Sequence, residues 1–141
     1  MGLKRTPHAV YELNYHFVWA SKYRRNLFND EIIIRLKELF SEIATHYDFE
    51  IIEHQIMADH IHLLISAPPR YAPAQLMNII KSISAKQLFK EFPLIKKQCW
   101  SASLWEEGYF VRAVGDKVTK DVIQKYVRYQ REHGQQLEFL S

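Results

Sequence analysis

The chain has 141 residues, of which 48% are hydrophobic and 25% charged, and its formal net charge is +3. This composition indicates a globular protein and excludes a disordered chain. The length suits one domain over residues 1–141, with enough chain to bury a core, and the mild positive charge permits a nucleic-acid partner without requiring one.

Three features predict a soluble, cytoplasmic protein. Cys99 is the single cysteine, so no disulfide can form within one chain, which suits a reducing compartment. The first residues contain no apolar segment of the kind found in signal peptides. No apolar run approaches the ~20 residues that span a bilayer, so we also expect no membrane association.

The pattern of apolar residues predicts an α+β fold with the order β-α-β-β-α-β-α, in which helices pack on an antiparallel four-stranded sheet, a ferredoxin-like (RRM-like) domain. Residues 1–10 are expected to form a loose basic arm. The predicted elements are a strand over 13–20, a helix from 29 or 30 to about 46, strands over 48–57 and 60–67, a helix over 73–91, a strand region over 99–114 and a final helix over about 119–133.

The side chains of the first predicted strand alternate between its two faces. Tyr15, Phe17 and Trp19 line one face, and His16 and Val18 lie on the other. The next helix has apolar residues at helical spacing and a good N-cap at its start, so it is expected to pack on the sheet.

The segment Asp59-His60-Ile61-His62 opens the third predicted strand. In a strand His60 and His62 point to the same face, with their Cβ atoms roughly 7 Å apart, and can converge on one metal ion or one phosphate. Ile61 then faces the core. Taken alone, a buried strand with two hydrogen-bonded histidines is the more common explanation. His54 on the preceding strand is the main competitor for a metal role.

The fourth strand region is rich in aromatic residues and is interrupted by Gly108, which suggests a bend or a bulge. Its large aromatics are Trp100, Trp105, Tyr109 and Phe110. They are either core residues or stacking surfaces, and large aromatics are more often core.

Two groups of basic residues each allow two interpretations, a solvated surface or a set of DNA phosphate contacts. The first group also contains an aromatic side chain that could stack on a base. The groups are Lys22, Arg24 and Arg25 with Tyr23 between them, and Lys81, Lys86 and Lys90 on the second helix.

In the predicted final helix, Tyr126 and Gln130 are four residues apart and therefore share one face, whereas Tyr129 lies off it. Taken alone, these positions are typical of a docking aromatic and a boundary residue.

The order of His60-Ile61-His62 followed by Tyr126 and Gln130 resembles the single-tyrosine HUH (His-hydrophobic-His) transposases, the TnpA-like transposases of single-stranded-DNA insertion sequences. The resemblance covers about residues 11–133. Further matching segments are YHFVW at 15–19, KYRR at 22–25, LLISAPP at 63–69 and LWEEGYF at 104–110. One departure is Ala58, where proline is expected before Asp-His.

This resemblance implies an enzyme that cleaves and rejoins single-stranded DNA. Tyr126 would be the nucleophile that forms a 5′-phosphotyrosine, and His60, His62 and Gln130 would hold one divalent ion, Mg²⁺ or Mn²⁺. The implied partners are DNA hairpins at the element ends and a second copy of the chain, in a homodimer. Two alternatives stay open: a domesticated palindrome-processing relative, and a non-catalytic module that binds single-stranded nucleic acid.

Overall fold

A computed structural model describes residues 2–100 and 103–115 of the chain. Its helices and strands are β1 (Lys4–Thr6), β2 (Ala9–Tyr11), β3 (Asn14–Ala20), α1 (Asp30–Tyr47), β4 (Glu50–Ile56), β5 (His60–Ser66), α2 (Pro73–Glu91), α3 (Pro93–Gln98) and β6 (Phe110–Val114), with a 3-10 turn at Lys22–Arg24 between β3 and α1. The predicted final helix, with Tyr126, Tyr129 and Gln130, lies outside the described residues.

Within the described residues, one antiparallel sheet has the strand order β4-β5-β3-β6. This order, with helices between the strands, is that of a ferredoxin-like fold, so the α+β prediction is confirmed. Strand β5 is central, with β3 on one side and β4 on the other, and Leu63 lies opposite Phe17. A central strand has buried residues on both faces, which explains the nearly continuous apolar run of β5.

The main core lies between one face of the sheet and the helices α1 and α2. Phe17, Trp19 and Leu63 from the sheet join one cluster of buried residues with Leu36 of α1 and Leu76 of α2. Local signals place the helices correctly. The Asn29 side chain accepts a hydrogen bond from the Ile32 backbone at 3.0 Å and caps α1, and Pro73 is the first residue of α2.

The N-terminal segment differs from its prediction. Residues predicted as a loose arm form the hairpin β1–β2, in which Lys4 pairs with Tyr11. Pro7 lies in the turn of this hairpin, where its fixed φ is favourable. Lys4 also forms an ion pair of 2.6 Å with Glu50 at the start of β4. No helix in residues 2–100 and 103–115 is long and apolar enough to cross a bilayer.

The segment after α2 also differs from its prediction. The strand expected over residues 99–114 is confined to β6, and the short helix α3 starts at Pro93. The preceding loop is held by Trp105, which is buried, donates from Nε1 to Ser84 Oγ at 3.1 Å and forms an isolated bridge with Ser21. Gly108 adopts a φ of 84°, which bends the chain before the strand begins.

Candidate functional site

The two histidines of β5 lie on the sheet face opposite the main core, as alternation predicts. Their ring centres are 5.1 Å apart with an interplanar angle of 75°. Ile61, which lies between the two histidines, and Leu63, which follows them, are fully buried in the main core. The strand therefore brings two imidazoles close enough to act on one ligand.

Asp59 holds the ring of His60. Residues 57–60 close the β4–β5 hairpin through a hydrogen bond from the Met57 backbone N–H to the His60 carbonyl at 2.8 Å. In this turn Asp59 Oδ1 lies 2.6 Å from His60 Nδ1. The hydrogen bond to His60, assisted by the charge of Arg24, lowers the pKa of Asp59 below its usual value. A carboxylate at Nδ1 fixes the proton there and leaves Nε2 of His60 unprotonated, as a nitrogen able to coordinate a metal ion.

His16 of β3 holds the ring of His62 in a similar way. His16 Nε2 lies 3.3 Å from His62 Nδ1, and the two rings are stacked with centres 5.5 Å apart. Burial, together with the charge of Arg112, lowers the pKa of His16 to about 4, so His16 is neutral at pH 7. When His16 accepts this hydrogen bond, the proton lies on Nδ1 of His62, and Nε2 of His62 is the nitrogen able to coordinate a metal ion.

The donor set fits a divalent metal ion. Both imidazoles have Nδ1 in a hydrogen bond, which is the arrangement that orients Nε2 toward a metal. Two imidazole nitrogens suit Mn²⁺ and similar ions better than the all-oxygen shell preferred by Mg²⁺. Among the described residues, no third His, Cys, Asp or Glu joins them in a metal-binding group. The predicted third ligand, Gln130, lies outside those residues.

His54 lies away from the histidine pair. It pairs with Leu63 across the β4–β5 ladder, whereas Gln55 pairs with His62. Directly opposed residues in an antiparallel ladder share a face. His54 therefore projects from the core-side face of the sheet, exposed at its edge, and does not compete for a metal ion held by His60 and His62.

The first predicted DNA-contact group lies in the 3-10 turn close to Asp59. Lys22 Nζ is 3.7 Å from a Glu106 carboxylate oxygen. Arg25 donates from Nη1 to the Gln98 carbonyl at 2.7 Å. The Arg24 guanidinium is close enough to lower the pKa of Asp59. Of these three basic residues, Arg24 is therefore the one whose charge acts on Asp59, the carboxylate that holds His60.

The three lysines of the second predicted DNA-contact group lie in different environments. Lys86 and Lys90 are exposed on α2. The half-buried Lys81 instead donates from Nζ to the carbonyls of Glu106 and Gly108, at 2.9 and 2.8 Å. Burial lowers the pKa of Lys81. Lys81 therefore ties the loop before β6 to α2, and its ammonium group points inward.

Sequence reasoning gave no role to His16 or Asp59, although both contact the histidine pair. A signal for His16 was present, since the alternation of β3 places it on the face opposite the core. A signal for Asp59 was also present, since it directly precedes His60 in a turn. In both cases the contact itself depends on the tertiary arrangement.

The fold and the site together define the class of protein: a ferredoxin-like domain that presents an oriented imidazole pair from its central strand. Comparison with known proteins gives the family. A family described as "Transposase IS200 like" matches residues 9–130. The chain belongs to this IS200-like transposase family, and membership implies DNA cleavage and strand transfer.

Individual relatives agree with this assignment. The ISDra2 transposase TnpA of Deinococcus radiodurans is 34% identical over 132 residues, which cover 94% of this chain and 94% of the relative. The transposase for insertion sequence element IS200 of Salmonella typhimurium is 31% identical over 138 residues, which cover 98% of this chain and 90% of the relative.

Two solved structures share the fold. A crystal structure of a candidate transposase from Deinococcus radiodurans R1 has a TM-score of 0.74 and 35% identity, and covers 90% of this chain and 97% of that one. A REP-associated tyrosine transposase bound to a REP hairpin has a TM-score of 0.57 and 16% identity, and covers 92% of this chain and 75% of that one. The second likeness shows the fold alone.

Proposed function

We propose that this transposase cleaves and rejoins single-stranded DNA through a covalent bond to Tyr126, as one domain spanning residues 1–141. The observation that carries the proposal is the imidazole pair, with His60 held by Asp59 at 2.6 Å and His62 by His16 at 3.3 Å. Both contacts involve Nδ1 and orient Nε2. Metal-ligating histidines in proteins usually have such a hydrogen bond at the ring nitrogen that does not bind the metal.

His60, His62 and Gln130 would hold one divalent ion, Mg²⁺ or Mn²⁺. When bound, such an ion supplies a Lewis acid that polarises the scissile phosphate and orients it. The two histidines contribute neutral nitrogen ligands, and Gln130 contributes an amide oxygen. Gln130 follows Tyr126 by four residues, so a helix would present both side chains on one face.

Tyr126 would attack the phosphorus atom of the scissile phosphate. The bond from the phenolic oxygen to phosphorus forms, and the bond from phosphorus to the 3′-oxygen breaks. The phenol loses its proton, and the departing 3′-oxygen gains one. The 5′-phosphotyrosine keeps the energy of the broken ester, so a later 3′-hydroxyl can reverse the reaction without ATP.

The proposed DNA ligand is a single strand with hairpins near the element ends. Basic residues beside the site support DNA binding, and the fold is shared with a transposase that was solved on a hairpin. The proposed assembly is a homodimer in which the tyrosine helix of one chain serves the histidine pair of the other. Lys22, Arg24, Arg25, Lys86 and Lys90 are proposed phosphate contacts.

The test is capture of a covalent adduct between the full chain and labelled single-stranded hairpin DNA. Tyr126→Phe should bind this DNA and form no adduct, since phenylalanine keeps the ring and lacks the nucleophile. Tyr129→Phe is the matched control and should form adduct. An adduct formed by Tyr126→Phe but not by Tyr129→Phe would contradict the assignment of the nucleophile.

The metal proposal is tested in the same assay. A chelator, His60→Ala or His62→Ala should abolish the adduct while hairpin binding largely survives, because affinity comes from phosphate and base contacts. His54→Ala is the matched histidine control and should stay active. Full activity in chelator would contradict the metal proposal.

A further inference from the structure

Two exposed aromatic side chains lie together at the turn that follows β3. Tyr23 is 54% exposed and Trp100 is 71% exposed. Their ring centres are 6.2 Å apart with an interplanar angle of 48°. Tyrosine and tryptophan usually bury most of their large apolar surface, so a pair of exposed rings indicates an interaction surface.

The backbone at these rings is held in an unfavourable conformation. Tyr23, Arg24 and Trp100 have φ values of 58°, 52° and 53°, in the left-handed region that residues other than glycine rarely adopt. Hydrogen bonds hold the two segments: the Tyr23 N–H donates to Glu106 Oε2 at 3.1 Å, and the Trp100 N–H donates to the Lys97 carbonyl at 3.0 Å. Unfavourable backbone conformations of this kind cluster at functional sites.

A guanidinium group links the two rings. The Arg25 Cζ atom lies 4.3 Å from the centre of the Trp100 ring and 5.8 Å from that of Tyr23. Arg25 is itself fixed by its hydrogen bond to the Gln98 carbonyl. Lys22 Nζ lies 5.2 Å from the centre of the Tyr23 ring. Aromatic faces next to positive charge are the features by which proteins bind single-stranded nucleic acid.

The turn that carries Tyr23 is hydrogen-bonded to the residue that precedes His60. Ser21, two residues before Tyr23, donates from its backbone N–H to the Asp59 carbonyl at 2.9 Å. The Asp59 side chain in turn holds His60. The turn and the start of β5 are therefore joined, and we expect a DNA strand bound at the histidines to run close to this turn.

We propose that Tyr23, Arg25 and Trp100 form a stacking platform for an unpaired base of the single-stranded DNA that the histidine pair acts on. The inference rests on the proposed function, because it names how that site would hold a base of its substrate. The occupant is a single strand, since paired bases in a duplex do not offer their faces to a side chain.

The fluorescence of the chain reports on the platform directly. Of the three tryptophans, Trp19 and Trp105 are buried and only Trp100 is exposed. Titration of the full chain with a short oligodeoxythymidine should quench tryptophan emission, because a stacked base contacts Trp100. Trp100→Phe should lose this quenching and keep DNA binding. No change in emission of the unmodified chain at saturating oligonucleotide would overturn the proposal.

A second measurement separates base contacts from phosphate contacts. Affinity is compared for the oligodeoxythymidine and for an oligomer of equal length whose central positions lack bases. Stacking on one aromatic residue corresponds to about a 5-fold to 150-fold effect on affinity. Trp100→Ala should lower the affinity for the intact strand by about this factor and change the affinity for the abasic strand little. Trp100→Phe should restore the affinity for the intact strand.

Leu94→Ala is the matched control, because Leu94 is equally exposed, at 71%, on the neighbouring helix α3. It should bind both oligomers as the unmodified chain does. The proposal is overturned if Trp100→Ala keeps the original ratio of the two affinities, or if the unmodified chain binds no single-stranded DNA. Failure of the proposed function appears separately, as absence of a covalent adduct while binding and quenching persist.

Discussion

Replacing Asp59 by asparagine tests whether its carboxylate prepares His60 for metal binding. Asp59 Oδ1 and His60 Nδ1 are 2.6 Å apart, and the two side chains are only 25% and 12% exposed. A hydrogen bond to a charged group contributes about 1.5–3 kcal/mol, which corresponds to about a 10-fold to 150-fold effect on an equilibrium constant. Asparagine keeps the shape and loses the charge. We therefore expect metal affinity to fall about 10-fold to 100-fold.

The assay measures DNA cleavage as a function of Mn²⁺ concentration. Asp59→Asn should need a higher Mn²⁺ concentration for half-maximal cleavage, and saturating Mn²⁺ should restore much of the rate. Asp48→Asn is the matched control, since Asp48 lies at the end of α1 and its side chain is 80% exposed. Thermal unfolding serves to check that both variants fold. An unchanged Mn²⁺ requirement in Asp59→Asn would refute the reasoning.

Three further predictions concern Lys81, Glu91 and the predicted tyrosine helix. Lys81→Met should lower Tm, because two backbone carbonyls lose their donor, and should leave the salt dependence of DNA binding unchanged; a smaller salt dependence would instead indicate a phosphate contact. The hydrogen bond from Arg35 lowers the pKa of Glu91 below 4.5, so this carboxylate stabilises the fold above that pH and stops doing so as the pH falls through its lowered pKa. Glu91→Gln should therefore lower Tm at pH 7 but not in strong acid, and an equal loss at both pH values would count against this pairing. A mixture of Tyr126→Phe and His62→Ala chains should regain cleavage, with the adduct on the His62→Ala chain, if the tyrosine helix crosses the dimer; a mixed dimer that binds hairpin DNA and forms no adduct would rule out the crossed arrangement.

The sequence by itself determined the helices α1 and α2, the strands β3, β4 and β5, and the faces of the central strands. Alternation fixed the face of His60 and His62 and the opposite face of Ile61, because side chains of a strand repeat with a period of two. Asn29 or Asp30 was predicted to cap α1, because a cap acts on backbone N–H groups within three residues, and Asn29 is the cap in the structure. These features depend on neighbours in the chain, which a sequence displays directly.

The tertiary structure alone decided which distant residues touch. His16 and His62 are 46 positions apart, and their contact depends on the register of β3 against β5. Lys81 turns inward because the loop before β6 brings two carbonyls to it. Trp100 meets Arg25 because α3 ends beside the 3-10 turn. Such contacts arise from the packing of whole elements, and no local pattern of residue types encodes the position of a partner so far along the chain.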